Sequence, residues 1–225
     1  MLKKLAVAAS LSLLGGIANA GVVESFDSGA WGPGWSNPGL GSVVASAAHD
    51  GGYGLALDSN DWTYNTSINF HPGETLSAWI EPTSAAAGRL YLGFAASSTG
   101  AYSLVSAVNT REFIIQRNAN YNFDQLTANS QAWETNHWYK VTLSWNTDGS
   151  AVGQLYDSDG TTLLNTVMQP GIQSGNTGIA LRGFGGWNVD TISIGSAVPE
   201  PETYALMVAG LALVGGMARR RKAKS

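Results

Sequence analysis

The sequence predicts an all-β fold, an antiparallel jelly roll or β-sandwich, flanked by an N-terminal signal peptide and a C-terminal transmembrane helix. Three observations carry the central expectation. Short apolar, β-branched and aromatic runs recur at roughly 8–15-residue spacing. Glycine turns separate them, as in TDGS at 147–150, SDGT at 158–161 and SGNTG at 174–178. No window reads as a soluble amphipathic helix; the nearest, Asp124 to Glu134, is polar and carries Asn and Ser.

The predicted strands follow in order: Glu74–Ile80, Arg89–Ala96, Tyr102–Val108, Glu112–Asn118, Trp138–Asn146, Ala151–Asp157, Thr161–Met168, Gly178–Phe184 and Asn188–Ile194. In Trp138–Asn146, Tyr139, Val141, Leu143 and Trp145 share one face, and Lys140, Thr142 and Ser144 share the other. In the last run, Val189, Thr191 and Ser193 alternate with Asp190, Ile192 and Ile194. No repeat of fixed period runs through the chain, which argues against a propeller or a β-helix.

The two ends differ from the middle. Residues 1–20 have the parts of a secretory signal: Lys3 and Lys4, an apolar run from Leu5 to Ile17, and Ala18-Asn19-Ala20 as a small-x-small cleavage site. The sandwich domain is therefore expected at 21–197. At the other end, Thr203 to Ala218 contains no charge and is mostly Ala, Leu, Val, Met and Gly. As a helix it would reach roughly 24 Å at ~1.5 Å per residue, a little short of the bilayer core. Tyr204 and the basic end at 219–224 would sit at the two interfaces, with the positive end cytoplasmic.

Val198, Pro199, Glu200 and Pro201, followed at once by that apolar run and by Arg219, Arg220 and Arg221, resemble the PEP-CTERM sorting signal. The resemblance covers 198–225. It implies export in a Gram-negative, polysaccharide-producing cell, a transient hold in the inner membrane, and cleavage by an exosortase. The processed protein would then reside at the cell surface or in the extracellular matrix. Pro199 and Pro201 suit an extended peptide just outside the membrane.

The middle segment is acidic. Residues 21–197 carry 14 acidic and 5 basic side chains, a net of −9 against −4 for the whole chain. Such a surface repels nucleic acid and anionic lipid headgroups, which argues against nucleic acid as a partner. There is no cysteine, so an exported domain must hold itself by its core. All eight tryptophans lie in this segment, and Trp79, Trp145 and one of Trp138 and Tyr139 are expected inside.

Trp138-Tyr139-Lys140-Val141, the hairpin after it and the closing Val189–Ile194 run resemble concanavalin A-like lectin/glucanase and laminin-G-like sandwiches. The resemblance implies a glycan-binding role or a glycoside hydrolase. The E-x-D-x-x-E strand of the glucanases is missing, which argues for a noncatalytic domain. A G-x-S-x-G elbow and a zinc-type His/Cys spacing are also missing. No catalytic residue and no required cofactor is expected.

Candidate binding residues come from the aromatics. Sugar rings stack their C–H faces on indoles and phenols, and Asn and Asp take their hydroxyls. Trp62 and Tyr64 share a strand face beside Asn60 and Asp61; Tyr121 sits with Phe123 among Asn120, Asn122 and Asp124; Trp187 follows the glycines of GFGGWN and is expected to project from a loop. Calcium is the candidate ion, at Asp157 and Asp159 of DSDG, where two hard carboxylates flank a turn. Three functions remain open: a glycan-binding matrix protein, a hydrolase or polysaccharide lyase of the same fold, and a purely structural or adhesive protein.

Overall fold

The computed structural model describes residues 20–85 and 88–196. The expected cleavable signal up to Asn19 and the sorting segment with its apolar helix at 203–218 lie outside the described residues. What is described is a β-protein of twelve strands, with one 3-10 turn, η1 (Ala45–Ala47). The strands are β1 (Gly21–Glu24), β2 (Ser42–Val44), β3 (Gly54–Asn65), β4 (Glu74–Pro82), β5 (Arg89–Ser97) and β6 (Gly100–Ala107). They continue with β7 (Glu112–Ala119), β8 (Asp124–Ser130), β9 (Tyr139–Trp145), β10 (Ala151–Tyr156), β11 (Leu163–Gln169) and β12 (Gly178–Ser196). Every pairing is antiparallel.

Two layers arise because β12 is long enough to serve both. Gly178–Gly183 pairs with β5 on one side and with Ser59–Asn65 of β3 on the other. Beyond β5 the layer continues through the meander β6, β7 and β8. From Trp187 onward β12 exchanges β5 for β4, behind which come β9, β10 and β11, while Leu55–Leu57 of β3 stays on its other side. Gly185 and Gly186 stand between, at φ 81° and 89°. A Cβ on Gly186 would run into Thr83 Oγ1, so the crossing demands glycine both for conformation and for space. The two runs expected as separate strands, Gly178–Phe184 and Asn188–Ile194, are thus one strand bent between layers.

The inward faces follow the alternation. Leu76, Ala78 and Ile80 of β4 meet Tyr139, Val141, Leu143 and Trp145 of β9, and Leu90, Leu92 and Phe94 of β5 come from the opposite layer. Trp145 is fully buried, with Phe94 at 5.6 Å and Phe70 at 6.1 Å between ring centroids. Trp79, expected inside, faces outward. Ala78 and Ile80 take the core positions, and the His49 ring stacks on the Trp79 indole at 3.8 Å.

The β12–β4 register contains an extra residue. Asp190 pairs with Trp79 but Ser193 with Ser77, so Thr191 is a bulge, at φ 47°. The bulge resets the alternation: Val189 and Ile192 both enter the core, three residues apart. Asp190, fully buried, holds the bulge by accepting the Thr191 N–H at 2.7 Å. Its other oxygen accepts the N–H groups of His49 and Asp50 at 2.7 and 2.9 Å.

Candidate functional site

Two of the predicted aromatics lie on β3. Thr63 and Asn65 point inward, so Trp62 and Tyr64 point out. Their neighbour β12 presents Ala180 and Arg182 on the same side, while Ile179 and Leu181 enter the core. Across β5, β6 and β7 this outer face continues as Arg182, Tyr91, Val105 and Ile114 in one row. Ala180, Gly93, Ser103 and Gln116 form the next. Gly93 keeps the second row low, since a Cβ there would lie 2.7 Å from that of Ala180.

The β7–β8 connection folds back onto this face. Asn120 and Tyr121 both have positive φ, 50° and 57°, and the Asn122 N–H closes the turn on Ala119 O at 3.0 Å. Asparagine tolerates that conformation and tyrosine pays a strain of order 1 kcal/mol for it. The result is placement. The Tyr121 ring comes 4.9 Å from Trp62 and 6.1 Å from Tyr64, and its hydroxyl donates to Ser97 O at 2.7 Å. Burial, and then the neighbouring Tyr64, push the Tyr121 phenol above the ordinary tyrosine pKa. Phe123, 56% exposed, lies 5.8 Å from Tyr91.

Arg182 sits at the centre, 6% exposed. Its guanidinium carbon is 4.7 Å from the rings of Phe123 and Phe184, 4.8 Å from Tyr91 and 5.8 Å from Trp62. Nε and Nη2 donate to the main-chain and side-chain oxygens of Asn60 at 2.8 and 2.6 Å. Burial lowers its pKa from the usual arginine value, with Tyr91 acting the other way. Four buried polar atoms on this face have no hydrogen-bond partner among the described residues: Arg182 Nη1, Ser103 Oγ, Gln116 Oε1 and Asn118 Oδ1.

Trp62, Tyr64 and Tyr121 therefore come together, and Trp187 does not join them. Trp187 is 1% exposed inside the sandwich, edge-on to Trp133 at 6.1 Å. The glycines before it form the strand crossing rather than a projecting loop. Arg182, Tyr91 and Phe184 went unnoticed in the sequence. The signal for Arg182 was its parity: a lone cation in an apolar strand, on the side opposite Ile179 and Leu181.

Asp157 and Asp159 lie at the β10–β11 turn and address different partners. Asp157 Oδ1 lies 2.6 Å from His137 Nε2 and accepts the Ser158 N–H at 2.7 Å. Asp159 accepts the N–H groups of Thr161 and Thr162 and the Thr162 hydroxyl. These bonds lower both carboxyls, that of Asp157 chiefly through the Ser158 N–H and that of Asp159, chiefly through the Thr162 hydroxyl, to about 2. Among the described residues no group of three or more His, Cys, Asp or Glu is placed to hold a metal ion.

Comparisons with known proteins address the fold and the tail. No curated protein sequence matches the chain. The carbohydrate-binding module CBM66 from Bacillus subtilis superposes with a TM-score of 0.52 at 13% identity, over 72% of this chain and 96% of its own. The exoplasmic/lumenal domain of VIP36, solved with Ca²⁺ and Man3GlcNAc, superposes with a TM-score of 0.54 at 11% identity, over 77% of this chain and 88% of its own. At these identities the likeness is one of fold. Residues 197–222 match the PEP-CTERM protein-sorting motif, so the chain carries that sorting motif behind an antiparallel sandwich folded like these carbohydrate-binding proteins.

Proposed function

We propose that this protein is an exported, exosortase-processed component of the cell surface or extracellular matrix whose sandwich binds glycan without cleaving it. The sorting motif supports the first half of that reading. One observation carries the second. Trp62 and Tyr64 from β3 and Tyr121 from the β7–β8 turn converge on one outward face, with Phe123 and Arg182 beside them. Half-exposed rings are platforms for the C–H faces of sugars. Asp61 and Asn122 are exposed beside the rings as hydroxyl partners, and Ser103, Gln116 and Asn118 on the same face have buried oxygens without a partner among the described residues. The fold likeness to CBM66 and VIP36 agrees with this role.

The test is affinity electrophoresis of the purified full chain in gels containing bacterial and plant polysaccharides, with and without calcium, and a parallel assay of reducing ends. Retardation without new ends, weakened by Trp62→Ala, is the expected result. New reducing ends would replace this reading with a hydrolase. No retardation on any polymer would leave a structural or adhesive protein.

A further inference from the structure

The charge of Arg182 is unanswered. Arg117 pairs with Asp124 at 2.7 Å and Arg89 lies 4.0 Å from Glu112. Arg182 has no ion pair among the described residues, although residues 21–197 hold 14 carboxylates. The nearby Asp61 is exposed and acts on it only through space. Asn60 satisfies Nε and Nη2 with neutral oxygens, and the rings lend their negative faces. The Tyr91 phenol lies close enough to favour the charge, but Nη1, buried, makes no hydrogen bond among the described residues. A guanidinium taken from water without a counter-charge is costly, and its planar fork matches a carboxylate in shape.

We propose that Arg182 Nη1 is the anchor for a carboxylate supplied by the ligand, so that this face recognises an acidic saccharide, a uronate, in preference to a neutral one. The inference rests on the glycan-binding reading above and names the class of glycan. Phe123 is the part of the box that yields. It is the exposed member, it lies between the tight turn and the first residue of β8, and its ring covers Arg182 at 4.7 Å. Tyr91, Phe184 and Trp62 are anchored in the strands. When Phe123 swings away, Nη1 opens to the outside. The sugar ring replaces the phenyl ring against the remaining aromatics, and its carboxylate meets the guanidinium. No covalent step is involved.

The experiment compares three probes on the full chain in EDTA: polygalacturonate, its fully methyl-esterified form and a neutral glucan. The ester removes the charge and keeps the sugar. A charge-assisted hydrogen bond in a dry site corresponds to about tenfold or more in affinity, so the acid form should bind at least that much more tightly than the ester. Arg182→Gln should erase this preference, bringing binding of the acid to the level of the ester, and Phe123→Ala should retain or strengthen binding of the acid. Near-UV circular dichroism checks that the variants are folded, and the acid–ester comparison on the unaltered protein needs no variant. Equal binding of acid and ester by the unaltered protein overturns the inference and leaves the glycan reading standing. Failure to bind all three probes, together with failure on the wider polysaccharide panel, overturns both.

Discussion

The Tyr121 ring lies 4.9 Å from the Trp62 ring, inclined at 39°, although one residue belongs to β3 and the other to the turn after β7. Trp62→Ala removes a half-exposed indole that also packs on Tyr91 and Ala180. It should cost about 2 kcal/mol of stability and reduce polysaccharide retention about tenfold. Tyr121→Phe keeps the ring and loses the bond to Ser97 O. It should cost about 1 kcal/mol and leave retention unchanged. Urea unfolding and affinity electrophoresis on the same preparations check both.

Trp187 behaves in the opposite way. It fills the core beside Trp133, so Trp187→Ala should cost about 3–5 kcal/mol. Where the variant remains folded, its retention on polysaccharide should match that of the unaltered protein. A folded Trp187→Ala protein that loses retention would return this residue to the binding face.

Asp190 and Thr191 should respond in different directions. Asp190→Ala strips the acceptor from the His49, Asp50 and Thr191 N–H groups and should cost about 3 kcal/mol or more. Thr191→Gly gives up a 3.3 Å hydroxyl contact but relieves a β-branched residue at φ 47°. Its stability should stay within about 1 kcal/mol of the original or rise slightly. Denaturant midpoints of the two variants decide the matter.

Asp159 makes the β10–β11 turn sensitive to acid. Its carboxyl is lowered from 3.8 to about 2 in the folded chain. A depressed folded pKa stabilises the native state above the unfolded value and loses that effect as pH falls through the folded one. The melting-temperature gap between the protein and Asp159→Asn should therefore be constant above pH 3.8 and close as pH approaches about 2. A gap that does not change over this window would mean that the Thr161 and Thr162 contacts do not favour the ionised carboxylate in the folded chain.

How much of this was legible depends on the local pattern. The alternation Tyr139, Val141, Leu143, Trp145 named its core face directly, because β9 is flanked on both sides and buried on one. Trp62 and Tyr64 could be put on one face by parity alone. Their meeting with Tyr121 could not, since it depends on a turn that forces a tyrosine to positive φ. β8 was invisible because it is an edge strand with both faces largely exposed, so its residues carry no two-residue period. The bulge at Thr191 hid the true phase of the last strand. The glycines before Trp187 read as a flexible loop because sequence does not say that a sheet must bend there.

β12 ends at Ser196, yet it is the strand to which β1, β3, β4 and β5 are all joined, and Gly21 finds its partner only at Ile194. The first strand of the domain must therefore wait for almost the whole chain before it can pair. Nothing synthesised earlier can close the core, because the central seam is made last. Pairings of such large sequence separation make folding slow relative to local hairpins. Without residues 178–196 the β5 and β4 layers have no strand in common. The strand that joins the layers therefore stands immediately before the sorting residues.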